Sequence, residues 1–315
     1  MIDGLKALLK QPYWTIALLL GVALVVLPSL ALPASYGWSI EPQRAGLLIV
    51  IGMVLLVLSI VAFGFQVWSS RREDCHTVGA GLDLTRVNER DGVLWTNVSG
   101  CEIRVISGRI EDCARNEGAA IVLPCNEYFD DRCVEDPRSS LGAYVSRVFE
   151  EQRDQLISMI KDECKRKFGD GTEQQKTNEE RARSFGAGKC VLITKPLGRS
   201  VPIALVSTTT QRAGLGLEAR ISYLFEGMKE LVSRLADARV GEAIMPVLGA
   251  GHGGIDSSLA FVGLVLAVAE AARYGQGGQR LRRVTIVIFR RDAAASPEVD
   301  EVVVRRALAL VGAQN

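Results

Sequence analysis

Two long apolar runs without charge dominate the first part of this 315-residue chain. They cover residues 13–32 (YWTIALLLGVALVVLPSLAL) and 45–68 (AGLLIVIGMVLLVLSIVAFGFQVW). Each reaches the roughly 20 residues that an α-helix needs to cross a bilayer. Because the segment between the runs is short, the pattern predicts a transmembrane helical hairpin over 13–68, preceded by an N-terminal segment over 1–12. Two helices buried in a protein core are the alternative interpretation of the same runs.

Basic residues flank the predicted hairpin unequally. Lys6 and Lys10 precede the first run and Arg71 and Arg72 follow the second, whereas Arg44 is the only basic residue between the runs. Loops rich in Lys and Arg stay on the cytoplasmic side of a membrane. We therefore expect both termini, and the whole chain after the hairpin, to lie in the cytoplasm.

After about residue 70 the pattern changes to that of a mixed globular chain. Residues 69–100 are interpreted as a linker and a leading strand, and residues 101–315 as one domain. Strand-like runs in this part of the chain are VLWTNV, CEIRVISG, AAIVLPC, KCVLITKP, VPIALVSTTT, GEAIMPVLG and RRVTIVIF. Apolar residues at helical spacing predict helices over 141–169, 217–239, 256–274 and 296–312. The polar segment DGTEQQKTNEERARSFGAGK is predicted to be a loop. Strands alternating with helices predict a three-layer α/β/α sandwich with a mixed sheet.

Charge and cysteine content narrow the classes of function. A formal net charge of +1 argues against a nucleic-acid binder, since neutralising phosphates requires an excess of Lys and Arg. The seven cysteines form no CxxC pair, and two histidines are too few for a finger-type zinc site. The pattern therefore indicates reduced thiols that pack in the core, without a bound metal.

A glycine-rich loop, MPVLGAGHGG (residues 245–254), stands between a predicted strand and a predicted helix. A helix N-terminus attracts anions, and glycines let the backbone close around a phosphate. Asp256 and Ser257 are suitable N-caps for that helix. A dinucleotide-binding loop should follow the first strand of its unit, and this loop comes too late in the chain. A Walker A loop is excluded because no GK[ST] follows, so a phosphate cradle and a simple tight turn remain as alternatives.

Asn126 follows the apolar strand AAIVLPC directly. A polar side chain at the end of a buried strand can find its partners among the hydroxyls of a ligand. Asn is also a common turn former, and this alternative stays open.

Taken together, these features resemble a macro domain, the ADP-ribose-binding module, over residues 101–312. GRIEDCARNEGAAIVLPCNEYF resembles the segment of that family that ends in an Asn on the distal ribose, which is Asn126 here. MPVLGAGHGGID resembles the second phosphate loop, and RSSLGAYVSRVF the end of the first, with Gly142 at the matching glycine. The ligand contacts that we expect from this resemblance are Asn126, Gly142, Leu248, Gly249, Ala250, Gly251, His252, Gly253, Gly254, Ile255, Arg109 and Phe289.

The chain departs from the macro-domain pattern at two places. Arg109 stands where the family has an Asp that contacts adenine, and Asp112 is out of register with that position. The first loop reads DDRCVEDPRSSLG and lacks the family's run of glycines, which argues against hydrolysis. The role of His252 stays open between a side chain that contacts the ligand and one that points away from it.

The combination of two membrane helices with a macro domain resembles the membrane effector of type II Thoeris anti-phage defence. The resemblance implies a protein of the bacterial inner membrane that binds an ADP-ribose derivative and needs no cofactor. A TIR-domain enzyme makes that signal from NAD, with histidine in place of nicotinamide. Binding then leads to homo-oligomers that damage the membrane. A membrane-tethered ADP-ribose reader and an ADP-ribosyl hydrolase are the alternatives.

Overall fold

The computed structural model describes residues 51, 53, 83–114, 118–176, 180–212, 216–274, 281–292 and 294–312. Both runs predicted to cross the membrane lie outside these residues, except for Ile51 and Met53, which have helical backbone. Within the described ranges, no helix has both the length and the apolar character that a membrane span requires. The described residues from Asp83 onward belong to one compact unit.

The strands of this unit form a central sheet and a separate hairpin. In chain order they are β1 (Asn88–Arg90), β2 (Val93–Val98), β3 (Cys101–Gly108), β4 (Ala119–Asn126), β5 (Thr172–Gln175), β6 (Arg181–Ser184), β7 (Cys190–Ile193), β8 (Ile203–Arg212), β9 (Gly216–Ala219), β10 (Glu242–Pro246) and β11 (Arg283–Phe289). The sheet runs in the order β1-β2-β3-β11-β10-β4-β8-β7, and β9 pairs with β8. Neighbours from β3 to β8 are parallel, whereas β1, β2, β7 and β9 pair antiparallel. The predicted mixed sheet is confirmed.

Helices cover both faces of the sheet. They are α1 (Asp131–Glu135), α2 (Ser140–Val148), α3 (Arg153–Phe168), α4 (Ile221–Asp237), α5 (Ser257–Tyr274) and α6 (Glu301–Gly312). Alternate residues of a strand point to opposite faces. In β4, Ala120 and Val122 therefore join one apolar core with α4, α5 and α6, while Ile121 and Leu123 join a second core with α2 and α3. This arrangement is the predicted three-layer sandwich.

The helix predicted over 141–169 is wrong in one respect, because it is two helices. Phe149 has φ −129° and ψ 22°, so the backbone leaves the helical region between α2 and α3. Its ring is buried, with its centroid 6.3 Å from that of Tyr144, and the guanidinium of Arg199 lies 4.8 Å above it. Apolar spacing continues across this break, which is why periodicity alone predicts one helix.

The polar segment predicted as a loop is also different, because it contains the β5–β6 hairpin. Thr172 pairs with Ser184 and Gln175 with Arg181 in an antiparallel ladder. All four residues of β5 are exposed and polar, so the segment lacks the apolar alternation that marks a strand. Lys176, at the end of β5, is nevertheless buried.

Six of the cysteines lie in described residues and all six are free thiols, while Cys75 lies outside the described residues. Burial raises the pKa of Cys101, Cys133 and Cys164 to about 12. These thiols therefore stay protonated near neutral pH, as expected of cysteines that fill a core.

Gly227→Ala should destabilise the fold, although alanine is the better helix former. A Cβ at Gly227 of α4 would lie 2.5 Å from Cγ1 of the buried Val206, and that stiff β-branched side chain cannot move aside. The overpacking cost of about 1–3 kcal/mol exceeds the roughly 1 kcal/mol gained in helix propensity. Gly263→Ala is the matched control, because its Cβ would meet Cδ1 at the flexible end of Ile221 at 2.9 Å and lie 3.3 Å from Cγ2 of the same side chain, a milder overlap than at Gly227. Thermal unfolding should show a lower Tm for Gly227→Ala than for Gly263→Ala, and equal values would contradict this.

Candidate ligand site at the strand ends

The carboxyl ends of β3, β11, β10, β4 and β8 lie at one edge of the sheet, because these strands are parallel. Phe289 pairs with Gly108, Pro246 with Val287, and Asn126 with Thr209. Arg109, the glycine loop and Asn126 therefore follow strands that belong to one parallel set. This edge is where open α/β sheets bind ligands.

The glycine loop uses its glycines for two different purposes. Gly249, Gly251 and Gly254 have φ of +84°, +67° and +74°, a region that other residues rarely adopt. A Cβ at Gly251 or Gly254 would have no atom within 4 Å, so open space lies beside this backbone. A Cβ at Gly253 would instead lie 2.6 Å from Cβ of Ala219 in β9. The loop is thus packed on one side and open on the other.

The flanks of the loop hold it in place. Leu248 is fully buried, whereas Ala250 and Ile255 are half-buried. Asp256 accepts a hydrogen bond from the N–H of Leu259 at 3.1 Å, so its predicted capping of α5 is confirmed. The other proposed cap, Ser257, donates its hydroxyl to the carboxylate of Glu298 instead.

His252 connects the glycine loop to the segment between α1 and α2. Its Nε2 lies 3.1 Å from Oδ2 of Asp136. The same carboxylate accepts hydrogen bonds from the side chain and the backbone of Arg138, which lower the pKa of Asp136. The His252 imidazole is half-exposed and has a protein partner, so it holds two loops together across the site.

Gly142 lies in the first turn of α2, and its N–H donates to Oγ of the N-cap Ser139 at 2.9 Å. A Cβ at this position would collide with the carbonyl oxygen of Asp136. The resemblance to macro domains predicts that Gly142 belongs to a phosphate loop. The structure adds a second reason for a glycine here, which is the close packing against Asp136.

Asn126 is 3% exposed and forms a tight turn at the end of β4. Its Oδ1 accepts a hydrogen bond from the N–H of Tyr128 at 3.0 Å, and its Nδ2 donates to Oδ1 of Asp130 at 3.1 Å. Phe129 in this turn has φ +50°, a conformation that costs about 1–3 kcal/mol in a residue with a side chain. Its buried ring packs near those of Phe168 and Phe185, which holds the strained turn. Asn126 therefore forms a turn, as the alternative interpretation of this residue expects. Its side-chain amide has a second hydrogen that could be donated to a further acceptor.

Three charged residues near Asn126 are not singled out by any sequence motif. Oε1 of the buried Glu127 accepts the N–H of Gln211 at 2.9 Å, and its other oxygen accepts the hydroxyl of Ser184. Asp130 forms an ion pair with the buried Lys176. Glu127 and Asp130 follow a strand end, which is a usable signal, whereas a lysine in a polar segment gives none.

A cavity of about 580 Å³ opens between the β5–β6 hairpin and the ends of β4 and β8. Its lining includes Glu127, Phe168, Thr172, Ser184, Thr210 and Tyr223. The hairpin therefore forms a polar wall of this cavity, which lies next to the Asn126 turn and whose lining includes Glu127 of that turn.

Arg109 and Phe289 lie at the β3–β11 end of the same edge of the sheet. The guanidinium of Arg109 donates to the carbonyl of Arg291 at 2.9 and 3.2 Å and lies 3.7 Å from the carboxylate of Glu111. Phe289 is 50% exposed, which is unusual for an aromatic residue at the end of a buried strand. Arg109 directly follows β3 and Phe289 is the last residue of its neighbour β11, so together they offer a cation and an aromatic surface. Within the described residues, no cluster of His, Cys, Asp and Glu could hold a metal ion.

A model of the family described as "Thoeris protein ThsA, Macro domain" matches residues 109–288, more than half of the chain. The chain belongs to this family. The fold of its macro domain is similar to an Oceanobacillus iheyensis macrodomain with ADP (11% identity, TM-score 0.39, covering 70% of this chain and 95% of that one). Two further similar structures are a Trypanosoma brucei macrodomain in complex with ADP-ribose (14%, TM-score 0.42, 67% and 69%) and the Thermus aquaticus DarG macrodomain (19%, TM-score 0.38, 59% and 97%). No curated protein matched the sequence of the chain.

Gly253→Ala should loosen the glycine loop of the macro domain by pushing it away from β9. The added methyl group would overlap Cβ of Ala219, and overpacking of this kind costs about 1–3 kcal/mol. The second-site change Ala219→Gly should recover much of the lost stability, because it removes the clashing atom. It should not rescue Gly254→Ala, where the penalty comes from φ. Equal rescue of both variants in thermal unfolding would show that the packing at Gly253 has no special role.

Proposed function

We propose that this protein is a membrane-anchored sensor and effector. Its cytoplasmic macro domain binds an ADP-ribose-type signal derived from NAD, such as a histidine derivative made by a TIR enzyme. The bound protein then assembles into homo-oligomers and disrupts the bacterial inner membrane during anti-phage defence. Membership in the Thoeris macro-domain family supports the defence role, and the uncharged runs 13–32 and 45–68 support the anchor.

The observation that carries the ligand assignment is the open backbone at Gly251 and Gly254. Both residues have positive φ and no neighbouring atom where a side chain would stand. A diphosphate can approach such a backbone closely, and the N-terminus of α5 follows it in the chain. Asn126 supports a sugar beside the diphosphate, since its amide is oriented and has a hydrogen to donate.

We propose binding without turnover. The segment after β4 lacks the glycines that the first loop has in hydrolytic macro domains, and in this chain it holds α1 and the cap of α2. Asp136 and Gly142 of this segment are engaged with Arg138, His252 and Ser139. Hydrolysis is the second candidate function, and a passive ADP-ribose reader the third.

Asn126→Ala should weaken binding of ADP-ribose by about 1–3 kcal/mol, because a ligand hydroxyl loses a buried partner. The measurement is calorimetric titration of the full-length protein in nanodiscs. Asn88→Ala, an exposed position in β1, is the matched control and should bind as the unmodified protein does. Absence of ADP-ribose binding by the unmodified protein would refute the ligand assignment.

ADP-ribose, or its derivative with a histidine in the terminal position, should increase the size of the full-length protein and leave the ligand intact. Ligand binding can drive assembly only if the assembled state binds the ligand more tightly. Mass photometry would measure the size, and chromatography the recovered ligand. Release of ADP-ribose from an ADP-ribosylated substrate would favour the hydrolase, and binding at constant size would favour the reader.

A further inference from the structure

Lys176 is the most deeply buried charged side chain near the site, at 2% exposure. It stands at the end of β5, and its ammonium group forms an ion pair with Oδ2 of Asp130 and lies 3.4 Å from Oε1 of Glu180. The same group lies 5.5 Å from the ring centre of Tyr128. Burying a lysine is costly unless it is paired, so this contact holds one end of the β5–β6 hairpin, and the hydrogen bond from Ser184 to Glu127 holds the other.

Asp130 is the residue that joins the hairpin to the site. It is the N-cap residue of α1, where an Asp side chain usually accepts a backbone N–H of the first turn, yet it makes no such bond. Its two oxygens point elsewhere, one to Nδ2 of Asn126 at 3.1 Å and the other to Lys176. The lost cap indicates that this carboxylate serves the link between Asn126 and the hairpin.

The carboxylate of Asp130 also fixes the orientation of the Asn126 side-chain amide. A carboxylate accepts hydrogen bonds only, so the Asn atom beside it must be Nδ2, and the N–H of Tyr128 requires Oδ1 on the opposite side. Without the ion pair, a carboxylate that is only 12% exposed would lose its compensating charge. Rotation of the Asp130 side chain would then release the Asn126 amide.

We propose that Lys176 and Asp130 are positioning residues for the sugar-binding Asn126, which makes the β5–β6 hairpin part of the ligand site. This inference rests on the proposed function, in which Asn126 contacts the terminal ribose of ADP-ribose. Lys176 acts through Asp130 and Asn126, so its effect concerns the ribose and leaves the phosphate cradle unchanged.

Lys176→Met keeps most of the side-chain volume and removes the charge. In calorimetric titrations of the full-length protein, we expect it to weaken ADP-ribose binding about 5-fold or more and ADP binding less than about 2-fold. ADP lacks the terminal ribose, so a general loosening of the domain would weaken both ligands equally. The double variant Lys176→Met/Asn126→Ala should bind ADP-ribose as strongly as Asn126→Ala alone, because both changes remove the same interaction with the ligand. Lys229→Met is the control for charge, since Lys229 is exposed on α4.

Equal losses for ADP-ribose and ADP, or additive losses in the double variant, would overturn the positioning role and leave the proposed function intact. Failure of the unmodified protein to bind ADP-ribose would overturn both.

A measurement on the unmodified protein covers the case in which Lys176→Met does not fold. Coupling between two sites is reciprocal, so ligand on Asn126 must stabilise the hairpin. ADP-ribose should slow amide hydrogen exchange in peptides covering β5 and β6, and ADP should not. Equal exchange with both ligands would overturn the inference.

Discussion

Parallel pairing of five strands is the constraint on which the rest of this domain depends. Parallel neighbours cannot be joined by tight turns, so the chain must cross over the sheet between them, and the crossing helices cover both faces. The two apolar cores on either side of β4 are the result. The same pairing gathers the carboxyl ends of β3, β11, β10, β4 and β8 at one edge. Residues far apart in the chain, such as Arg109, Asn126 and Gly251, come to the same edge of the sheet only because of this pairing.

Polar contacts then fix the loops that leave this edge. His252 and Asp136 connect the glycine loop to the segment before α2, and Asp130 connects Asn126 to Lys176. The aromatic rings around Phe129 hold a turn with unfavourable φ. Each loop is thus held by another loop as well as by its own strand. A site of this kind is organised before a ligand arrives, which reduces the entropy that binding costs.

The sequence predicts those parts of the structure in which one residue pattern has one physical meaning. The runs VLWTNV and CEIRVISG became β2 and β3 with the predicted bounds, because β-branched residues between turns have few other uses. The glycine loop was predicted for a similar reason, because closely spaced glycines are typical of backbone with positive φ. Three of its glycines have that conformation. The predictions were wrong where the sequence pattern carries no signal for the structure. The break at Phe149 keeps helical spacing, and the β5–β6 hairpin is stabilised by a buried ion pair and by neighbouring rings, not by apolar alternation. Long-range polar pairs such as Asp130 with Lys176 depend on the tertiary fold and leave no local trace.

The hairpin also matters for how a binding domain of this kind could act on other molecules. A ligand changes an assembly equilibrium only through an element whose energy differs between the free and the bound state. The glycine loop is a poor candidate for that element, because Gly253 is packed tightly against Ala219 and Leu248 is fully buried. The hairpin is a better candidate, since all residues of β5 are exposed and its buried anchor, Lys176, reaches Asn126 through one carboxylate. Under the proposed function, a ribose on Asn126 strengthens that anchor and so changes the stability of an exposed strand pair. An exposed strand is a surface to which a second chain can add its own strand. Under the proposed function, the residue that recognises the sugar and the exposed strand pair are therefore joined through Asp130 and Lys176.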